Sequence, residues 1–277
     1  MPVKLDAAMR ECLENWEVDL SDAWRSFLGE ITLGFDDIDA ALELEFWEPI
    51  FPVRRNKHFP GMPKGAHSLR AFDGIEPQSV KCVILGQDPY PEPGFATGRA
   101  FEAGNIKSWS DLDQMFSKSV RAFMQQIVAA RTKEPCFARS FTDWPSARET
   151  LQAPEAKFEA PFAMADHWVS EGVLLLNSAL TLSRFTIETD LHQSHGHVPL
   201  WQPLINRVLH KLIARDVPLV IIAFGDVAIE GARNAGLSEG LITRPHPAFA
   251  QDLLSRGNPF IECNDHLEAV GAEPIAW

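Results

Sequence analysis

The chain has 277 residues, 45% hydrophobic and 23% charged, a globular make-up, and no apolar run approaches the ~18 residues that a membrane-spanning helix needs. Its net charge of −13 argues against tight non-specific nucleic-acid binding, although a small neutral or cationic groove can sit on an acidic body. Cys12, Cys82, Cys136 and Cys263 lie far apart without a C-x-x-C pair, which speaks for a reducing cytoplasm and against a metal centre built from paired ligands.

Residues 1–50 carry most of the acidic crowding and alternate acidic with apolar positions. "AMRECLENWEVDL" and "DDIDAALELEFWEPI" predict two helices ending near Pro49. No basic stretch leads into an apolar run at the start, so no signal peptide is expected. Residues 51–79 are rich in proline and glycine and predict irregular surface. Next comes "VKCVILGQDPYPEPG", residues 80–94, a buried strand over 80–85 that turns polar after Gly86. Pro89, Pro91 and Pro93 restrict the backbone around Gln87, Asp88 and Tyr90. That suits a carboxylate held ready for chemistry; a stiff connection with a solvated Asp is the plain alternative. Tyr90 is the single tyrosine beside 18 Phe and 8 Trp, as if a phenol were needed there.

"GFATGRAFEAG" predicts a short strand around Ala100–Glu102, and Ser110–Ala130 a helix with an N-cap Ser. Residues 131–165, with four prolines, predict a long excursion around a short helix. "GVLLLNSALTL" is a second buried strand ending at Asn177, and residues 199–216 form an amphipathic helix. "VPLVIIAFG" is a third strand, followed by a helix closing at Gly236. "GLITRPHPAFA" is a fourth strand running into His246, and "PFIECNDHLEAVG" a closing helix. Apolar runs alternating with helices predict an α/β fold. The expectation is a single domain with a central, mostly parallel four-stranded sheet flanked by helices on both faces. Sites in such sheets lie beyond the carboxyl ends of the strands. Gln87, Asp88, Tyr90, Asn177, Asp226 and His246 all fall there, which sets a carboxylate, a carboxamide and an imidazole on one edge.

"GQDPY" after the first strand, "GRAF", "LLLN", the "HP" ending the fourth strand and the closing "LEAVGAEPIAW" occur together in this order. In this the chain resembles family 1 uracil-DNA glycosylases, over roughly residues 60–277. The resemblance implies a monofunctional glycosylase of base-excision repair, cytoplasmic and monomeric, that takes uracil from single- or double-stranded DNA. It implies Asp88 and His246 as catalytic residues: Asp88 stabilising a cationic sugar and orienting water, His246 donating to uracil O2. Asn177 would read the uracil edge, Phe101 stack on the flipped base, Tyr90 exclude thymine's methyl, and Gln87 add contacts to the base. No cofactor and no metal are implied. The ligand-like spacing of His192, His195 and His197 in "HQSHGH" falls on a Ser-His loop of the family. Residues 56–277 would be the catalytic domain, and residues 1–55 a helical extension packed on it.

The chain also departs from the family. Pro91 stands where the family has His, and "GNIKSWS" replaces a proline-rich loop. The DNA-contacting loop reads Pro247, Ala248, Phe249, Ala250, with Ala248 in place of a phosphate-binding Ser and Ala250 in place of the Leu wedge. Asp226 replaces another Ser that touches phosphate. Phe249, Leu253 or Leu254 could serve as wedge instead. The phage inhibitor that mimics DNA against this family grips those positions, so poor binding of it is expected. Two other functions stay open: a non-catalytic DNA-binding or scaffold protein, and a glycosylase of broader base range.

Overall fold

The computed structural model describes residues 2–114, 118–184, 191–237 and 239–277. Near the start, Val3–Lys4 (β1) leads into helix Leu5–Cys12 (α1), then Asp22–Leu28 (α2), and Glu43–Leu44 (β2) returns to pair antiparallel with β1. The second expected helix, residues 36–50, is therefore absent, and α2 lies between the two expected segments. Asp39 explains this: its Oδ1 accepts the Ala41 N–H at 2.8 Å and its carbonyl accepts Leu42 N–H at 3.0 Å, a local turn that competes with helix. Helix α2 starts because Ser21 Oγ accepts the Trp24 N–H.

The central sheet consists of Cys82–Gly86 (β3), Val173–Asn177 (β4), Val220–Phe224 (β5) and Leu241–Arg244 (β6), in the order β4-β3-β5-β6 with every pair parallel. Every residue of β3, β4 and β5 is buried, as all-apolar parallel strands covered on both faces must be. Edge strand β6 alternates buried and half-buried positions. Between β3 and β4 run Lys118–Thr132 (α3), Trp144–Gln152 (α4) and Pro161–Ser170 (α5). Val198–Ile213 (α6) leads into β5, Asp226–Asn234 (α7) follows it, and Ala250–Ser255 (α8) and Pro259–Ala269 (α9) follow β6. Helices α4, α8 and α9 pack on α3, while α2 and α7 pack on α6. No helix of the described residues is long and apolar enough to cross a membrane.

Three expectations need correction. No strand forms at Ala100–Glu102, where Phe101 has φ +60°, outside any strand geometry; one isolated bridge, Ala96 with Ala103, marks the region. The helix expected from Ser110 is a 3-10 turn, Trp109–Asp113, capped by a Ser108–Asp111 capping box, and then α3; residues 115–117 lie outside the described residues. The 131–165 excursion holds α4 and the start of α5, because Pro145 and Pro161 occupy first turns, where proline begins a helix rather than breaking it.

Side chains from residues 5–44, including the fully buried Leu5, Met9 and Trp24, share one apolar core with the sheet and α6. Trp24 Nε1 donates to Ile75 O at 2.8 Å, and Arg54 is bonded to Asp19 in a buried ion pair.

Candidate active site

Each strand of the sheet delivers one polar residue to the same edge, and the exits are stitched to one another. Gly86 pairs in register with Asn177. Beyond that pair, Ser178 donates twice to Gly86 O, from its N–H and its Oγ, both at 3.0 Å, and Ala179 N–H donates to Gln87 O at 2.9 Å. The exit of β4 is thus zipped to the start of the Gln87–Tyr90 turn. On the other side, Gly225 N–H donates to Arg244 O at 3.0 Å and locks β5 to β6.

Two glycines show how closely the pieces meet. A Cβ on Gly86 would collide with Asn177 Oδ1 and stand 3.5 Å from the Phe101 ring. Gly225 has φ +84°, and a Cβ there would stand 3.3 Å from His246 Cβ and 3.7 Å from Gln87 Oε1. Gln87 and His246 therefore approach each other across Gly225, and Asn177 and Phe101 meet at Gly86. Asp88 follows Gln87 in the chain and is half-buried, with buried Pro89 next to it.

The electrostatics favour neutral side chains around that carboxylate. Burial lowers the pKa of His246, and Ala248 N–H donates to its Nδ1 at 3.2 Å. A ring that accepts at Nδ1 carries its proton on Nε2, so His246 presents one neutral N–H donor. Burial raises the pKa of Tyr90 far above its ordinary value, and its hydroxyl has no hydrogen-bond partner among the described residues. Phe101 is stacked on Phe123 at 4.6 Å and sits edge-on to Phe224 at 5.1 Å. That packing holds the uncommon positive φ, a strain of about 1–3 kcal/mol of the kind that clusters at functional sites.

The loop after β6 exposes its three wedge candidates unequally. Phe249 is 67% exposed, whereas Leu253 and Leu254 are buried and Ala250 is 5% exposed. Ala248 and Asp226 are exposed and Pro247 is buried. The HQSHGH stretch forms a π-helical turn, Gln193–His197, in which His192 Nδ1 and His197 Nε2 share Ser183 Oγ, each at 2.9 Å. No group among the described residues could hold a metal ion. Sequence reading did not single out Gly86, Ser178, Gly225 or Phe123; a glycine followed directly by a polar residue at a strand end is the signal that marks the first and third.

No family model matches the chain. A uracil-DNA glycosylase of Levilactobacillus brevis is 27% identical over 245 residues, covering 85% of this chain and 88% of that one. One from Mycobacterium sp. (strain KMS) is 31% identical over 221 residues, covering 78% of this chain and 80% of that one. The chain belongs to the uracil-DNA glycosylase family. It is thus an N-glycosyl hydrolase of DNA repair. A crystal structure of mimivirus uracil-DNA glycosylase has the same fold, with a TM-score of 0.59 at 17% identity, over 99% of this chain and 93% of that one. The edge built around Gly86 and Gly225 carries the residues of the GQDPY, GRAF, LLLN and HP motifs, and the loop of residues 247–250 follows directly.

Proposed function

We propose that the chain, acting as a monomer, extracts deoxyuridine from single- or double-stranded DNA, hydrolyses its N-glycosidic bond and leaves an abasic site. The observation that supports it best is the meeting of Asn177 with Phe101 at Gly86 and of Gln87 with His246 at Gly225, with Asp88 next in the chain after Gln87. As the bond between C1′ and N1 breaks, its electron pair goes to the base and positive charge grows on the sugar. The Asp88 carboxylate stabilises that charge and orients the water whose oxygen joins C1′ and whose proton ends on the departed uracil anion. The His246 Nε2–H donates to O2 of the uracil anion, a fixed donor aimed at charge that develops only during reaction. The Asn177 amide accepts from N3–H and donates to O4, and cytosine presents the reverse pattern. Phe101, backed by Phe123, stacks on the base, Tyr90 closes the space beside C5, and Gln87 adds contacts to the base. Phe249, exposed at the loop tip, is the side chain that fills the gap left in the duplex.

The test is base release from oligonucleotides carrying uracil, thymine, hypoxanthine or xanthine, single- and double-stranded, with the native chain and Asp88→Asn. Uracil release by the native chain, cut by orders of magnitude in a folded Asp88→Asn variant, is expected. Native-like rates in the variant would remove Asp88 from the mechanism. Binding without release points to a scaffold, and release of the other bases to a broader glycosylase.

A further inference from the structure

The exposed aromatic side chains of this acidic protein are not scattered evenly. Phe46 and Trp47 are 82% and 65% exposed and pack edge-to-face with centroids 4.8 Å apart. Exposing two large adjacent rings costs apolar burial and commonly marks a binding surface. They line an open groove of about 540 Å³ with Phe59, Pro60 and Pro93. Glu92 and Pro93 belong to the same proline-bound segment as Asp88, and a span of four residues keeps the groove wall within about 14 Å of the Asp88 backbone. The bridge between Phe51 and Leu182 fastens the neighbouring backbone to the segment leaving β4. The groove is thus tied through the chain to the exits of β3 and β4, while Phe249 follows β6.

Charge decides what kind of ligand the groove fits. Lys57, His58 and Lys64 do not line the groove but flank Phe59 and Pro60 in the chain, are exposed and form no ion pair among the described residues, whereas neighbouring Arg54 and Arg55 are tied to Asp19 and Asp73. Of the two carboxylates in the lining, Glu48 is held by Arg184 and by the Glu45 N–H. Glu92 remains, able to accept from the amino groups of bases. Lysine ammonium groups near aromatic rings, here Lys57 and Lys64, are the combination that binds single-stranded nucleic acid without strong sequence preference.

We propose that this groove is a second nucleobase site, in which bases of the same strand, beside the nucleotide held at Asp88, stack on Phe46 and Trp47 while Lys57, His58 and Lys64 meet phosphates. The proposal rests on the reading of the Asp88 edge as a site for DNA. It also gives the chain a hold on its substrate where Ala248 and Asp226 offer phosphates none.

The test uses two single-stranded substrates, a short uracil-centred one that just covers the pocket and one extended by several nucleotides on both sides. Binding of a uracil-free oligonucleotide as long as the extended substrate is followed separately by fluorescence anisotropy. In the Phe46→Ala/Trp47→Ala variant, kcat/KM on the extended substrate and affinity for the uracil-free strand should each fall about tenfold or more, with the short substrate unaffected. Trp47→Phe should keep most of the native behaviour. Equal losses on both substrates, or none on either, would overturn the proposal while leaving uracil release intact. Failure of the native chain to release uracil from the short substrate would instead count against the Asp88 reading, and the anisotropy arm would still decide the groove. A proline- and arginine-rich peptide bound by the native chain, with no DNA effect in the variant, would assign the groove to a protein partner.

Discussion

A methyl group on Gly86 has nowhere to go: it would meet Asn177 Oδ1, with Ala100 Cβ 3.3 Å away. Gly86→Ala should cost about 1–3 kcal/mol of stability by overpacking and, because it pushes the amide aside, weaken selection of uracil over cytosine. Combining it with Asn177→Ala separates the two effects. The double variant should recover stability but not selectivity, and recovery of both would remove Asn177 from base reading. His246 yields a second expectation. With its pKa below 6.5 and Nδ1 occupied by the Ala248 N–H, the neutral donor should persist under mildly acidic conditions. Turnover should stay flat as pH falls through that value, and His246→Ala should lower it by about 10²–10³ at every pH. A rise in turnover on acidification would mean that the imidazolium is the working form.

Sequence and structure agree best where local pattern and burial ask for the same thing. The four apolar runs of β3 to β6 could be read directly, because a strand buried on both faces has no polar position to confuse the pattern. Asp88, Asn177 and His246 were readable for the same reason, as polar residues placed where such runs stop. The misses have a different origin. Residues 36–50 carry helical spacing, but the Asp39 turn and the pairing of β2 with β1 prevail over it. Phe101 was expected in a strand, yet the left-handed backbone that aims its ring is sustained by Phe123 and Phe224, which are distant in sequence. The HQSHGH turn shows how tertiary context changes the meaning of a motif. His197 is buried between Thr181 and Ser183, and its pKa is lowered to about 3. The unfolded chain takes up that proton near 6.5 and the folded chain does not, so stability present above 6.5 is lost progressively as pH falls toward 3. The slope should be about 1.4 kcal/mol per pH unit, and denaturant titrations at several pH values should find it flattened in His197→Gln. Equal slopes in the two proteins would show that His197 is not the group responsible.

At the scale of the molecule, a net charge of −13 surrounds an edge where Asp226 and Ala248 are exposed and Ala250 is buried. An acidic protein that imitates DNA meets repulsion at long range and few donors at contact. The phage inhibitor of uracil-DNA glycosylases should therefore bind this chain poorly. Titrating it against uracil release is the check, and stoichiometric inhibition at nanomolar enzyme would show that the altered loop still presents the family's surface. The order of the strands has one more consequence, which concerns time rather than space. Asp88 is synthesised early, Asn177 much later and His246 later still, and β3 sits in the middle of the sheet waiting for partners on both sides. Pairings between such distant segments form slowly, because the intervening chain must first be gathered in. A nascent copy that stops short of Arg244 holds the acid but lacks the imidazole and the edge strand beneath it. Chains cut before Arg244 should therefore fold slowly or not at all. On the reading of His246 proposed above, they should also release uracil far more slowly than the full chain, which single-turnover assays on truncated copies would check.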